Sequence, residues 1–257
     1  MIHFIEQEKL VAFVASIIST AIAYVIYFSF IENKKKRKSK NLVYLQYMVL
    51  FLALAALVDW GALIIKGVFP VAAENFNFIQ LGSYISFYCN AVSNIFLARF
   101  IGAIFLEKKS KALLHLLMVL EFSVGPLFFV LFFLSEYNIY TNADLELLGL
   151  MVHVASAFII YFLLFGYSIK IYRRIRTDPT KIVESNGIKF IGFSSILLFS
   201  AVLSFVLHEI FIELDITTIE YILPTLGWLL GAFAAIIIYI GYITPDWIKQ
   251  RWLSKSA

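Results

Sequence analysis

Asp59, His153 and His208 lie inside runs that are otherwise apolar, and Glu209 follows the last of them. An ionisable group in hydrocarbon costs roughly 2.5–3.5 kcal/mol on insertion scales, so each must face protein or water. A carboxylate and two imidazoles, the latter changing charge near neutral pH, suit the binding of a proton, a cation or a small polar molecule. At 3.6 residues per turn, Ser200, Ser204 and His208 fall near one line, so the run 187–214 has a polar side. Ser83, Asn90 and Asn94 form a second stripe, with Tyr84 and Tyr88 beside it. Together with Trp228 these groups predict a ligand pocket, polar at its heart and walled by aromatic rings. Its expected residues are Asp59, Tyr84, Tyr88, Asn90, Asn94, His153, Ser204, His208, Glu209 and Trp228. The competing reading is a set of interhelical hydrogen bonds that only hold the bundle together, near 0.6 kcal/mol each.

Arg99 and Glu121 make a second constellation. Each lies seven to ten residues, roughly 12–14 Å, from the end of its run nearest the short turn that joins the two. Adjacent antiparallel helices would bring them together as a structural clamp or a two-state latch, or Arg99 would snorkel to the interface. Metal-assisted hydrolysis is a further class to weigh, because two His and one Asp match a generic ligand set, as in some seven-span lipid hydrolases around zinc. Against it, there is no His-x-x-x-His pair, and His115 sits at the opposite edge from His153 and His208. There is also no glycine-rich phosphate loop, no Gly-x-Ser-x-Gly nucleophile and no Cys–His pair. The sequence therefore predicts neither an enzyme nor a metal site.

What must position these groups is a membrane bundle. The 257 residues are 61% hydrophobic, 17% aromatic and 15% charged, with a mean hydropathy of +0.88. A soluble domain has about 45–50% apolar and 25% charged residues. The one cysteine, Cys89, excludes an intramolecular disulfide and a thiolate zinc cluster. Seven runs reach the roughly 20 apolar residues that a spanning helix needs, near 10–31, 43–66, 78–106, 112–135, 147–171, 188–213 and 219–243. The expected organisation is a seven-helix bundle over 1–244 and an amphipathic tail over 245–257. Met1 to Lys9 carries Glu6 and Glu8 rather than a basic start, which argues against a signal peptide.

Charge sets the expected orientation. Six Lys or Arg lie in 34–40, three in 108–111, six between 170 and 189 and three between 249 and 255, all on alternate connections and the C-terminal side. Basic residues are retained on the cytoplasmic side, so the N-terminus is expected outside and the C-terminus inside a cell membrane. The run Asn33–Lys40 is then a topology signal rather than a nucleic-acid site. The opposite connections carry Glu74, Glu136, Asp144, Glu146, Asp215 and Glu220, a negative mouth that would attract cations.

Ile171–Lys189 reads as the longest connection, with turns at Asp178-Pro179 and Ser185-Asn186-Gly187. Thr244-Pro245-Asp246 reads as a helix start, and Trp247, Ile248 and Trp252 as the apolar side of a short interfacial helix. Small residues every four positions, Ala15/Ser19/Ala23 and Gly227/Gly231/Ala235, suit close helix packing or a homodimer face. No Lys lies in the middle of the last run, so no retinal Schiff base forms there, and no cofactor is expected.

Seven spans, an outside N-terminus and a short amphipathic tail resemble a receptor bundle. The rhodopsin-like motifs are absent, since Ala98-Arg99-Phe100 replaces the acidic-Arg-aromatic triplet and the last span lacks Asn-Pro-x-x-Tyr. The close Tyr239-Ile-Gly-Tyr-Ile-Thr-Pro245-Asp-Trp-Ile-Lys-Gln-Arg-Trp252 is similar to that of seven-helix sensory modules preceding prokaryotic sensor kinases. That resemblance implies a sensor of a small ligand or proton from outside, with its output left to a cytoplasmic signalling partner. A second plan stays open. Asp59 and His208 each stand late in a span that follows a basic loop, as in a three-plus-one-plus-three solute transporter, although the Pro-Gln signature of those carriers is missing.

Overall fold

The computed structural model describes residues 7–37, 41–68, 78–106, 112–136, 143–213 and 222–254. Those residues are helical apart from short connections, with no strand among them. The long helices are α1 (Gln7–Arg37), α2 (Leu42–Val68), α3 (Phe78–Ile104), α4 (Ala112–Glu136), α5 (Ala143–Ile175), α6 (Ile182–Glu213) and α7 (Ile222–Ile243). A short α8 (Asp246–Ser254) follows. All seven long helices contain a stretch long and apolar enough to cross a membrane. In lipid the backbone must bond within its own segment, which is why runs of this composition fold as helix.

The helices form a ring in chain order, each packed on its sequence neighbours, and α7 closes the ring against α1. Besides these neighbours, α3 touches α5, which sets α3 toward the bundle axis. The acidic connections fall largely outside the described residues, as do residues 38–40 and 107–111 of the basic runs.

The interior of the bundle on the side of the α5–α6 connection is filled. Leu45, Met48, Leu97, Phe100, Ile101, Ile160, Leu164 and Ile238 are all essentially inaccessible there. The small stripe of α1 is spent inside the bundle, where Ser19 Oγ donates to the Trp228 carbonyl at 2.8 Å. The stripe of α7 is spent there too. Gly227 lies under the Phe205 ring, where an added Cβ would come within 2.8 Å, and Ala235 is fully buried.

The expected loop Ile171–Lys189 is mostly helix. α5 runs on to Ile175, α6 begins at Ile182, and only a tight turn with a 3-10 segment at Pro179–Lys181 joins them. Asp178 makes that turn, its Oδ1 accepting from Thr180 N at 2.9 Å and Thr180 Oγ1 at 2.6 Å. These bonds, the side-chain one foremost, hold the Asp178 carboxyl below the usual carboxylate range. Gly187 is not a turn residue. It lies within α6, where its missing side chain lets the backbones of α6 and α7 touch: a Cβ at Gly241 would stand 2.7 Å from the Gly187 carbonyl oxygen. With 33 and 32 residues, α5 and α6 are each about 50 Å long, well beyond the roughly 30 Å of hydrocarbon. Their joined ends carry Arg173, Arg174 and Arg176, all basic.

α7 ends at Thr244, a left-handed residue with φ 47° whose N–H bonds the Ile240 carbonyl at 2.9 Å. The redirected chain forms α8, which buries Ile248 and packs Trp252 on Phe190 of α6, ring centres 5.4 Å apart. Trp247 does not join them. It is 65% exposed and points away from the bundle.

Candidate functional site

Glu121 of α4 is completely buried. Its Oε2 stands 2.6 Å from Nδ1 of His153 on α5, and its Oε1 accepts from Asn94 Nδ2 at 3.1 Å and from Ser156 Oγ at 2.9 Å. The Ser156 hydroxyl also lies 2.9 Å from the His153 carbonyl, so its one hydrogen is shared between two acceptors. Asn94 passes the network on, because its Oδ1 accepts from Tyr161 OH at 2.8 Å. Two neighbouring helices thus supply the partners that a buried carboxylate requires, and with His153 donating from Nδ1 no oxygen of Glu121 is left bare.

A cavity of about 150 Å³ lies beside this network, toward the end of the bundle opposite the α5–α6 turn. One water needs roughly 10–15 Å³ on this measure, and a drug-sized pocket about 300–1,000 Å³. The space therefore fits several waters or a molecule of a few heavy atoms. Its polar lining is Asp59 from α2, Ser83, Ser86 and Asn90 from α3, Tyr161 from α5, His208 from α6 and Trp228 from α7. Phe87, Phe205, Leu52 and Val202 supply apolar wall. Trp228 Nε1 donates to Asp59 Oδ2 at 3.1 Å. Gly231 gives the cavity its room, since an added Cβ there would meet nothing within 4 Å.

Two side chains belong to both places. Tyr161 lines the cavity and bonds Asn94. Asn90 lines it too, and its Nδ2 reaches His153 Nε2 at 3.5 Å, the outer limit of a hydrogen bond. A smaller space of about 20 Å³, bounded by Phe87, Asn90, His153 and Phe205, runs alongside that contact.

The residues expected from sequence are thus divided. Asp59, Asn90, His208 and Trp228 meet at the cavity, while His153 and Asn94 lie one layer away in the network. Tyr84 is in neither. It stacks on Phe128 of α4 with ring centres 5.2 Å apart, and its OH accepts from Gln80 Nε2 at 2.8 Å. Tyr88 covers Gly125 of α4, whose lack of a side chain makes room for the ring. Ser204 is buried and donates to its own helix, at the Ser200 carbonyl 2.8 Å away, rather than to the cavity. The side chain of Glu209 lies outside the described residues.

The Arg99–Glu121 pair does not form. Glu121 turns to His153, and Arg99 points out between the fully buried Ala98 and Phe100, beside a cleft shared with His115. Its long stem lets the guanidinium reach the interface. Tyr161 and Ser86 are the site residues that sequence reasoning missed. Tyr161 had a signal, for it follows His153 and Ser156 on one side of an otherwise apolar helix. Among the described residues, no three His, Cys, Asp or Glu side chains gather as a metal site would require.

Compared with protein-family profiles, with curated proteins and with solved structures, the chain gives no match. Fold and site define an all-helical protein with seven potential membrane spans and a polar cavity within the bundle.

Proposed function

We propose that the protein is a seven-span membrane receptor or sensor, in which a small molecule entering the Asp59 cavity is read by the Glu121–His153 network. The observation that carries this reading is the double membership of Asn90 and Tyr161. An occupant that bonds either side chain bears on a residue that Asn94 or His153 also holds, so occupancy and network geometry are coupled through direct contacts. With the basic connections placed in the cytoplasm, the cavity opens to the outside, and the projecting α5–α6 turn faces a signalling partner.

The inner end supports an output there. A cleft of about 430 Å³ separates the ends of α3, α6 and α7 from α8, bounded by Phe105, Ile188, Tyr242 and Lys249 among others. It lies on α6, the helix that also carries His208 and Phe205 of the cavity.

Spin labels at Ile104 and Val183, on either side of the cleft, test the coupling once Cys89 is replaced by Ser. Filling the cavity by Gly231→Leu is expected to shift the label-to-label distance, and Tyr161→Phe together with Asn90→Leu to abolish that shift. An unchanged distance on filling, with uptake of a small solute into proteoliposomes lost instead, would replace the receptor with a carrier.

A further inference from the structure

The charges around the cavity are not balanced. Among the described residues Asp59 is the one carboxylate that lines it, His208 is its one imidazole, and no Lys or Arg lines it. Oδ2 of Asp59 takes the Trp228 indole N–H, and Oδ1 has no described hydrogen bond from the protein. A carboxylate held in a low-dielectric bundle with one donor is under-solvated, and a cation relieves that more effectively than a neutral molecule. An anion would face Asp59 with no fixed positive charge to offset it. The kind of cation follows from the walls. A hard metal ion takes six to eight oxygen ligands at short range, whereas this lining offers one carboxylate and the neutral oxygens of Ser83, Ser86, Asn90 and Tyr161, spread over three helices among aromatic and aliphatic side chains. Phe87, Phe205 and Trp228 give the ring faces and apolar surface that suit an organic cation. Ser86, Asn90 and Tyr161 add oxygens that accept N–H donors. At about 150 Å³ there is room for only a short chain.

We propose that the cavity binds a small primary alkylammonium ion, with Asp59 as counter-ion, Asn90 and Tyr161 as acceptors for its remaining N–H groups, and the rings around its carbon chain. The proposal rests on the reading of the cavity as a ligand site. It also states what the occupant does: an ammonium that draws on the Tyr161 oxygen or the Asn90 amide oxygen pulls on the two side chains that hold Asn94 and His153.

The full-length chain in lipid nanodiscs tests this by calorimetry, with tryptophan fluorescence as a second signal and Trp228→Phe to assign it. The probes are propylammonium, propan-1-ol, propionate, tetramethylammonium and sodium, all as chlorides or sodium salts at one ionic strength. Propylammonium is expected to bind, with at least tenfold weaker binding in Asp59→Asn and loss in Gly231→Leu, which fills the cavity and leaves the carboxylate in place. Tetramethylammonium, lacking N–H groups, is expected to bind less well. Binding of propanol, propionate or sodium in preference, lost in Gly231→Leu, overturns the ammonium assignment and leaves a ligand cavity. Propylammonium binding that survives both variants overturns the assignment to this cavity. If no probe binds, both the assignment and the ligand-site reading fall. A thermal melt of each variant separates lost binding from lost folding.

Discussion

Glu121 and Asp59 are both carboxylates within apolar helices, yet their surroundings differ in kind. Glu121 is sealed, its oxygens met by His153, Asn94 and Ser156 from two neighbouring helices. Asp59 has one indole donor and an open space. A saturated carboxylate has nothing left to offer a ligand and acts through packing. An unsaturated one beside a cavity is completed by whatever enters. The difference separates a structural network from a binding site more sharply than residue type does, and Asn90 and Tyr161 are where the two meet.

The largest expected effect is at the sealed carboxylate. Glu121→Ala strands His153, Asn94 and Ser156 in the core, and should lower stability by about 3–5 kcal/mol in a reversible bicelle unfolding assay. Glu121→Leu with His153→Leu should lose less than the sum of the singles, because both ends of the pair become apolar together. A loss below about 1 kcal/mol in Glu121→Ala would break the comparison. Asp59→Asn should change stability by less than about 1 kcal/mol, since Asn still accepts from Trp228 and its amide nitrogen faces the cavity rather than packed side chains. A loss as large as that at Glu121 would make Asp59 a second structural anchor rather than a binding group.

The smallest effect is at the α5–α6 turn. Asp178 is a carboxylate whose bonds from Thr180 lower its folded-state pKa. Its support for the turn is therefore complete at neutral pH and fades as pH falls through that lowered value. Protection of the Thr180 amide, its exchange rate taken relative to the intrinsic rate at each pH, should fall on acidification in the native chain and should stay constant across this pH range in Asp178→Ala. Equal pH dependence in both would assign the change elsewhere.

The seven helices were legible because a span of hydrocarbon length can hardly hide. Seven uninterrupted apolar runs give the count, and each occurs as a helix long and apolar enough to cross a membrane. Which polar groups meet was less legible. Depth counted along each run placed Asp59, Asn90 and His208 at one level, and they share the cavity. Rotation about each helix axis was harder to read. Arg99 and Glu121 suit each other in depth and charge, but Arg99 sits on the outer side of α3 while Glu121 faces inward to α5. Glycine misled in the same way. Gly187 beside Ser-Asn reads as a turn, and only the meeting with Gly241 on a helix 54 residues away shows that it is a crossing point. Tyr161 shares a helix side with His153 and Ser156, but in an aromatic-rich chain that signal stands out only once Asn94 is found opposite its hydroxyl.

The coupling of cavity to network is tested most directly at the imidazole of His153. The chain has four histidines, so ring-nitrogen resonances of a histidine-labelled sample are assigned by single His→Gln variants. Filling the cavity with Gly231→Leu should move the Nε2 resonance of His153, and the added changes Asn90→Leu and Tyr161→Phe should hold it at one position whether position 231 is Gly or Leu. A His153 signal that is the same with the cavity open and filled would contradict the account, leaving a well-packed polar core beside a hollow it does not sense.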